Sequence, residues 1–243
     1  MDRGLPHGRA GPKENPRVNT HDDLLERFVL QHTSLTSAPL VPEIGLHLAS
    51  DSRHIFQARA EFAPSAGWPP YWAFAWPGGQ ALARYILDNA RLVAGKTVLD
   101  IGSGSGISAI AAKRAGATRV TAADPDPMAS LAIGMNARHN GVDVTVSIDD
   151  VLSSAPDEDL VLIADLVYEP ELATRVTRFL EAVRSTGTLV ILGDRTTARR
   201  PPLAMTLLGD YGAPLTPALE EGHFERARVW RLDQSGRQRE ATA

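Results

Sequence analysis

The segment Val98-Leu99-Asp100-Ile101-Gly102-Ser103-Gly104-Ser105-Gly106-Ile107-Ser108-Ala109 constrains this chain more than any other. A short apolar run carries an acid, three glycines alternate with serines, and a stretch of small residues follows. Glycine accepts positive φ and lets a ligand come close to the backbone. The start of the following helix adds N–H groups that have no intrahelical partner. In an open α/β sheet this place, the carboxyl end of the first strand, is where a nucleotide-like ligand sits.

The flanking sequence keeps the same rhythm. Apolar runs at 97–101, 119–124, 144–149, 160–165 and 187–194 read as strands. Stretches at 105–117, 127–139 and 169–184 read as helices, with Pro127 suited to a first turn. Strands alternating with helices imply crossover connections and a mostly parallel sheet. Near-continuous apolar strands are those of a sheet covered on both faces. The run 224–232 (FERARVWRL) alternates with period two and suits an antiparallel edge strand, whereas 203–209 reads as a helix.

Upstream the pattern is less regular. Residues 21–36 place Leu24, Leu25, Phe28 and Val29 at helical spacing. Residues 42–62 are mixed, with a helical option at 43–48 and an extended one at 54–62. A Pro/Gly/Trp segment (PSAGWPPYWAFAWPGG) then feeds a helix over 80–89. The expected organisation is a disordered tail at 1–20, a helical and loop extension at 21–95, a cofactor-binding domain at 96–233 and a second tail at 234–243.

Composition narrows the function. The formal charge of −4 speaks against a nucleic-acid partner, which calls for a basic face. The absence of cysteine removes disulfides, thiolate nucleophiles and cysteine metal sites, and fits a reducing compartment. No apolar run approaches the roughly 20 residues that span a bilayer, and the first residues hold no apolar signal core. A cytoplasmic protein is expected. His54, His139 and His223 show no ligand spacing, so no metal is expected. Oligomeric state is left open.

The spacing around the glycines discriminates between cofactors. A dinucleotide loop reads G-x-G-x-x-G and would need glycine at 107, which is Ile107. Asp100 would repel a pyrophosphate but can accept from an amino group or water. Asp124 ends the second strand, 20 positions beyond Gly104, where an acid can take both ribose hydroxyls. Gly102, Ser103, Gly104 and Gly106 with Asp100 and Asp124 therefore point to S-adenosyl-L-methionine. Asp150 ends the third strand and either meets an adenine amine or is a solvated loop acid or helix cap. Three alternatives stay open: a small-molecule N- or O-methyltransferase, a nicotinamide oxidoreductase and a non-catalytic cofactor-binding module.

The strand-DxGSGSG block, Asp124 and Ala164-Asp165-Leu166-Val167-Tyr168 resemble class I S-adenosylmethionine-dependent methyltransferases. Three blocks are closer still to the electron transfer flavoprotein β-subunit lysine methyltransferases: PYWAFAWPGGQALARYILDN (70–89), TAADPDPMASLAIGMNARHNGV (121–142) and Asp165-Leu166-Val167-Tyr168-Glu169. That resemblance implies an α/β, doubly wound, mostly parallel seven-stranded sheet with an antiparallel C-terminal edge strand. It also implies a protein lysine as acceptor, with the electron transfer flavoprotein β subunit the candidate partner. Asp165 is expected both to border the cofactor and to hydrogen-bond the acceptor amine, with Tyr168 shaping the slot. Trp72, Phe74 and Trp76 form either a core plug or a cofactor lid, and an aromatic face near a sulfonium gains cation–π attraction. Gly79 and Gln80 are expected beside the glycine loop, with Gln80 reaching the cofactor carboxylate. Asp194 is a second acceptor-side acid. The sequence departs from the family at Val167, Glu169 and Ala164, and in Gly193-Asp194-Arg195-Thr196-Thr197, where the family carries a G-D-P-G-R type loop. Arg195, Arg199 and Arg200 read as a solvated basic face.

Overall fold

Apolar side chains on successive residues of the central strands must be buried on opposite faces, and the computed structural model shows two cores divided in that way. It describes residues 21–63, 67–167, 169–195, 201–214 and 224–235. Five parallel strands, β3 (Thr97–Ile101), β4 (Arg119–Ala123), β5 (Thr145–Ser147), β6 (Leu160–Ala164) and β7 (Leu189–Asp194), form the centre. Val98, Leu160, Leu162 and Ile191 pack on one face, while Leu99, Val161, Ile163, Val190 and Leu192 pack on the other. The first face is covered by α3 (Pro77–Asp88) and α4 (Ile107–Arg114), and the second by α6 (Pro170–Val183).

The sheet is completed by β8 (Met205–Pro214) and β9 (Phe224–Leu232), giving the order β5-β4-β3-β6-β7-β9-β8. Both last strands run antiparallel to their neighbours. The order reverses between β3 and β6, the switch point where the carboxyl ends diverge and a crevice opens.

Three sequence expectations are corrected. Residues 43–48 belong to a strand, β2 (Val41–Leu48), which pairs with β1 (Ser34–Ala38). Ile44, Leu46 and Leu48 alternate into the core, a period-two pattern that outweighs the helical option. Residues 54–62 lie in a helix, α2 (Ser52–Phe62), whose cap is Asp51, accepting from the His54 N–H at 3.0 Å. Residues 203–209 are no helix, since β8 takes 205–214 and pairs along β9. Strand β8 is thus the sheet edge, with β9 between it and β7.

The first helix, α1 (His21–His32), stops before residue 36 because the chain enters β1. It lies against α5 (Pro127–His139), where Leu25, Phe28 and Val29 share a core with Trp72, Met128 and Ala132. The residues before 96 are therefore integral to the packing. Among the described residues no helix is long and apolar enough to cross a membrane, and no cluster of three or more His, Asp or Glu forms a metal site. The tails at 1–20 and 236–243, with Tyr168, Thr196, Thr197, Arg199, Arg200 and His223, lie outside the described residues.

Candidate active site

At the end of β3 the chain turns through three glycines at positive φ: Gly102 at 64°, Gly104 at 55° and Gly106 at 81°. A side chain at Gly102 would collide with Leu166, 2.3 Å from its ideal Cβ. Gly104 has nothing nearer than 3.9 Å, so its backbone stays open to a ligand. Gly106 caps α4. The Gly104 N–H donates to Asp124 Oδ2 at 2.9 Å and the Asp126 N–H to Oδ1 at 3.1 Å, which fixes the acid at the end of β4. Burial raises the Asp124 carboxyl to about 6 against those two N–H groups.

This loop borders a cavity of about 470 Å³, within the range that holds a small ligand. Its wall includes Gly102, Gly104, Asp124, Asp149, Asp150, Asp165, Trp72 and Trp76. Five aspartates against two arginines line it, an acidic balance that suits a cationic ligand. Asp150 is gripped by Arg175, whose Nη2 lies 2.5 and 2.6 Å from its two oxygens. Asp149 accepts from Ser147 Oγ at 2.8 Å.

On the far side of the switch point stands Asp165, just after β6 and at φ 52°, the only non-glycine positive φ among the described residues. Aspartate is among the few residues that tolerate this region, and strain of this kind gathers at functional sites. The start of α3 explains how it is held. Pro77, Gly78 and Gly79 form its first turn, and the Gly79 N–H donates to Asp165 Oδ2 at 3.0 Å. A Cβ at Gly78 would meet the same carboxylate at 2.6 and 2.7 Å, so the close approach requires glycine. Free N–H groups at a helix start favour an anion. Burial nevertheless raises the Asp165 carboxyl to about 7; the Gly79 and Gly78 N–H groups and Arg195 oppose the rise, while Asp194 adds to it.

The other expected residues sort by their surroundings. Trp76 lines the cavity, donates Nε1–H to the Tyr71 carbonyl at 3.0 Å and lies 5.2 Å under the Arg195 guanidinium. Trp72 and Phe74 are both buried, but only Trp72 reaches the cavity wall. Ser103 and Asp100 stay out of the wall: Ser103 Oγ donates to Asp100 Oδ2 at 2.5 Å, and burial raises that carboxyl to about 7. Asp100 therefore braces the loop rather than facing the ligand space. Gln80 is also absent from the wall. It is fully buried, donates to the Ala75 carbonyl at 2.8 Å and accepts from the Leu40 N–H at 3.4 Å. Asp194 is buried beside Asp165, and Tyr168 lies outside the described residues.

Sequence reasoning passed over Asp126, Arg175, Trp68 and Leu166, all of which line the cavity. Asp126 precedes Pro127 as a helix cap signature, accepting from the Met128 N–H at 3.0 Å, and that signal was available. Nothing local marks Arg175 as the partner of an acid 25 positions earlier.

An adenosyl sulfonium fits these residues. The open Gly104 backbone leaves room, and the buried Trp72 indole N–H, without a protein acceptor among the described residues, is an orphan that a polar ligand can satisfy. Comparison with known proteins agrees. The ribosomal protein L11 methyltransferase (PrmA) family model matches residues 81–193. The mouse electron transfer flavoprotein β-subunit lysine methyltransferase is 40% identical over 71% of this chain and 69% of its own length. The human protein of the same name is 41% identical over 71% and 67%. A solved structure from Pyrococcus horikoshii, described as a candidate RNA methyltransferase, shares the fold at 15% identity, with a TM-score of 0.53 over 74% of this chain and 98% of its own. The chain belongs to the electron transfer flavoprotein β-subunit lysine methyltransferase family and is an S-adenosylmethionine-dependent methyltransferase.

Proposed function

We propose that this enzyme methylates lysine side chains of a protein acceptor, and that the acceptor is the electron transfer flavoprotein β subunit. The observation that carries the proposal is the placing of Asp165 and Asp124 on one cavity wall, on opposite sides of the switch point. When bound, S-adenosylmethionine supplies an activated methyl on a positively charged sulfur. The chain supplies position and charge. Gly102, Gly104 and Asp124 would hold the nucleoside end, with Asp124 taking the ribose hydroxyls. Asp150, steadied by Arg175, would accept from an exocyclic amine of the base.

A lysine arrives as an ammonium, which has no lone pair to attack with. Asp165, with its carboxyl near 7, is largely ionised at slightly alkaline pH and accepts a hydrogen bond from the incoming nitrogen. The nitrogen would lose its proton to water or to this carboxylate, whose hydrogen bond would orient the freed lone pair. Holding both partners in line contributes in favourable cases about 7–11 kcal/mol. Trp76 and Trp68 form aromatic walls for the aliphatic lysine stem and its charge. A cytoplasmic location is part of the same proposal, supported by a sequence without cysteine.

The test is incubation of the purified chain with labelled S-adenosylmethionine and recombinant electron transfer flavoprotein β subunit, followed by peptide mass spectrometry. Methyl groups on lysine support the reading. Label that appears only on small molecules when a whole lysate is offered would overturn it.

A further inference from the structure

Arg59 of α2 is an arginine in the interior, with its side chain 7% exposed, and its partner is the equally buried Asp126, 67 positions away. A buried guanidinium is costly unless it is paired, and removing one partner leaves the other stranded. Asp126 is no remote acid. It lines the donor cavity, caps α5 through the Met128 N–H, and gives its own N–H to Asp124 Oδ1. The turn Asp124-Pro125-Asp126 is thus anchored on one side by the Gly104 N–H and on the other by Arg59.

The pair is single-point as it stands, with Nη2 to Oδ1 at 3.3 Å. Arg59 Nε and Asp126 Oδ2 are both buried without a hydrogen-bond partner among the described residues. These are the two atoms that a two-point arginine–carboxylate fork joins. The pair thus carries the donor and the acceptor for one further bond. The same helix also reaches the cavity wall, since Phe56 packs edge-on against Tyr71.

We propose that Arg59 is a positioning residue of the donor site: its hold on Asp126 sets the turn that aims Asp124 at the ribose hydroxyls, and the second bond of the pair closes as the ribose engages. The inference rests on Asp124 as the ribose acid, and its test separates the two ideas. Calorimetry on the full chain compares S-adenosylhomocysteine with its 2′,3′-dideoxy counterpart. The native enzyme prefers the hydroxylated ligand, and Asp124→Ala erases that preference. Arg59→Met lowers the preference about tenfold, equivalent to about 1.4 kcal/mol, and leaves affinity for the dideoxy ligand within twofold. Arg59→Lys, which keeps a single-point contact but cannot supply the second bond, retains most of the loss.

Equal weakening of both ligands by Arg59→Met would reduce Arg59 to a scaffold role and overturn the inference. A preference that survives Asp124→Ala overturns the ribose reading instead. If Arg59→Met fails to fold, Asp126→Asn, which retains the Oδ1 cap, takes its place and must show the same selective loss.

Discussion

The two sides of the cavity, one at Asp124 and one at Asp165, are built on different plans. Asp124 is held by N–H groups of Gly104 and Asp126, all within one strand–helix–strand unit. Asp165 is held by the Gly79 N–H, 86 positions earlier, at the start of a helix that precedes the first parallel strand. Neighbouring chain thus supplies both N–H groups bonded to Asp124, while a distant segment supplies the N–H that holds Asp165. The first can be preserved when the second is altered, so substitutions should separate binding from transfer.

The largest separation is expected from Asp165→Asn. Loss of the charge should cut kcat/KM for the acceptor by about 10²–10⁴, while calorimetric affinity for S-adenosylhomocysteine stays within about twofold, the change expected where no direct contact is lost. Loss of cofactor binding in this variant would erase the contrast between the two sides. Gly78→Ala attacks the same acid from its support. The added Cβ meets the carboxylate and the Gly193 carbonyl at 2.6–2.7 Å, so a stability loss of about 1–3 kcal/mol should appear in denaturant titration together with depressed turnover. Asp124→Ala should do the converse, weakening cofactor affinity by about tenfold or more, with kcat recovering at saturating donor.

Proton linkage gives a smaller, graded effect. Asp100, Asp124 and Asp165 have carboxyls raised by burial to about 7, about 6 and about 7. The folded state then binds protons more tightly than the unfolded chain between their ordinary values near 4 and these raised ones. Stability from these groups is fully present below the ordinary carboxylate range and is lost as pH rises towards 7. Thermal melts of the free enzyme should rise on acidification from pH 7.5 to 6, and Asp165→Asn should flatten part of that slope. Kinetically, kcat/KM should climb with pH through about 7 in the native enzyme and lose that limb in the variant. The smallest effect belongs to Arg175→Ala. Its pair with Asp150 is half exposed, so a cofactor affinity loss of about two- to fivefold is expected.

The same contrast governs what could be read from the chain. The glycine loop, Asp124 and the parallel strands announce themselves because each signal lies within a few residues of its cause. The strand at 41–48 was concealed because Glu43, Gly45 and His47 interrupt its apolar positions, although Ile44, Leu46 and Leu48 keep the alternation. The strand at 205–214 was concealed because its pairing partner lies beyond it in sequence and its register carries a bulge between Leu207 and Gly209. Gln80 was placed near the cofactor from its neighbours in sequence, but a helix start turned it inward, where the Ala75 carbonyl and the Leu40 N–H claim it. The pairing of Arg59 with Asp126 depends wholly on how α2 packs, and one sequence holds no trace of it.

The contact of Gly78 with Gly193 and Asp165 carries a practical consequence. A boundary drawn at residue 95 leaves every parallel strand intact, yet it removes the peptide groups that hold the Asp165 carboxylate. A shortened protein beginning there would keep the glycine turn and Asp124 but lose Arg59 and the tryptophan wall together with the support of Asp165. Anyone grafting this catalyst onto another scaffold must carry the tryptophan-proline-glycine stretch along with it.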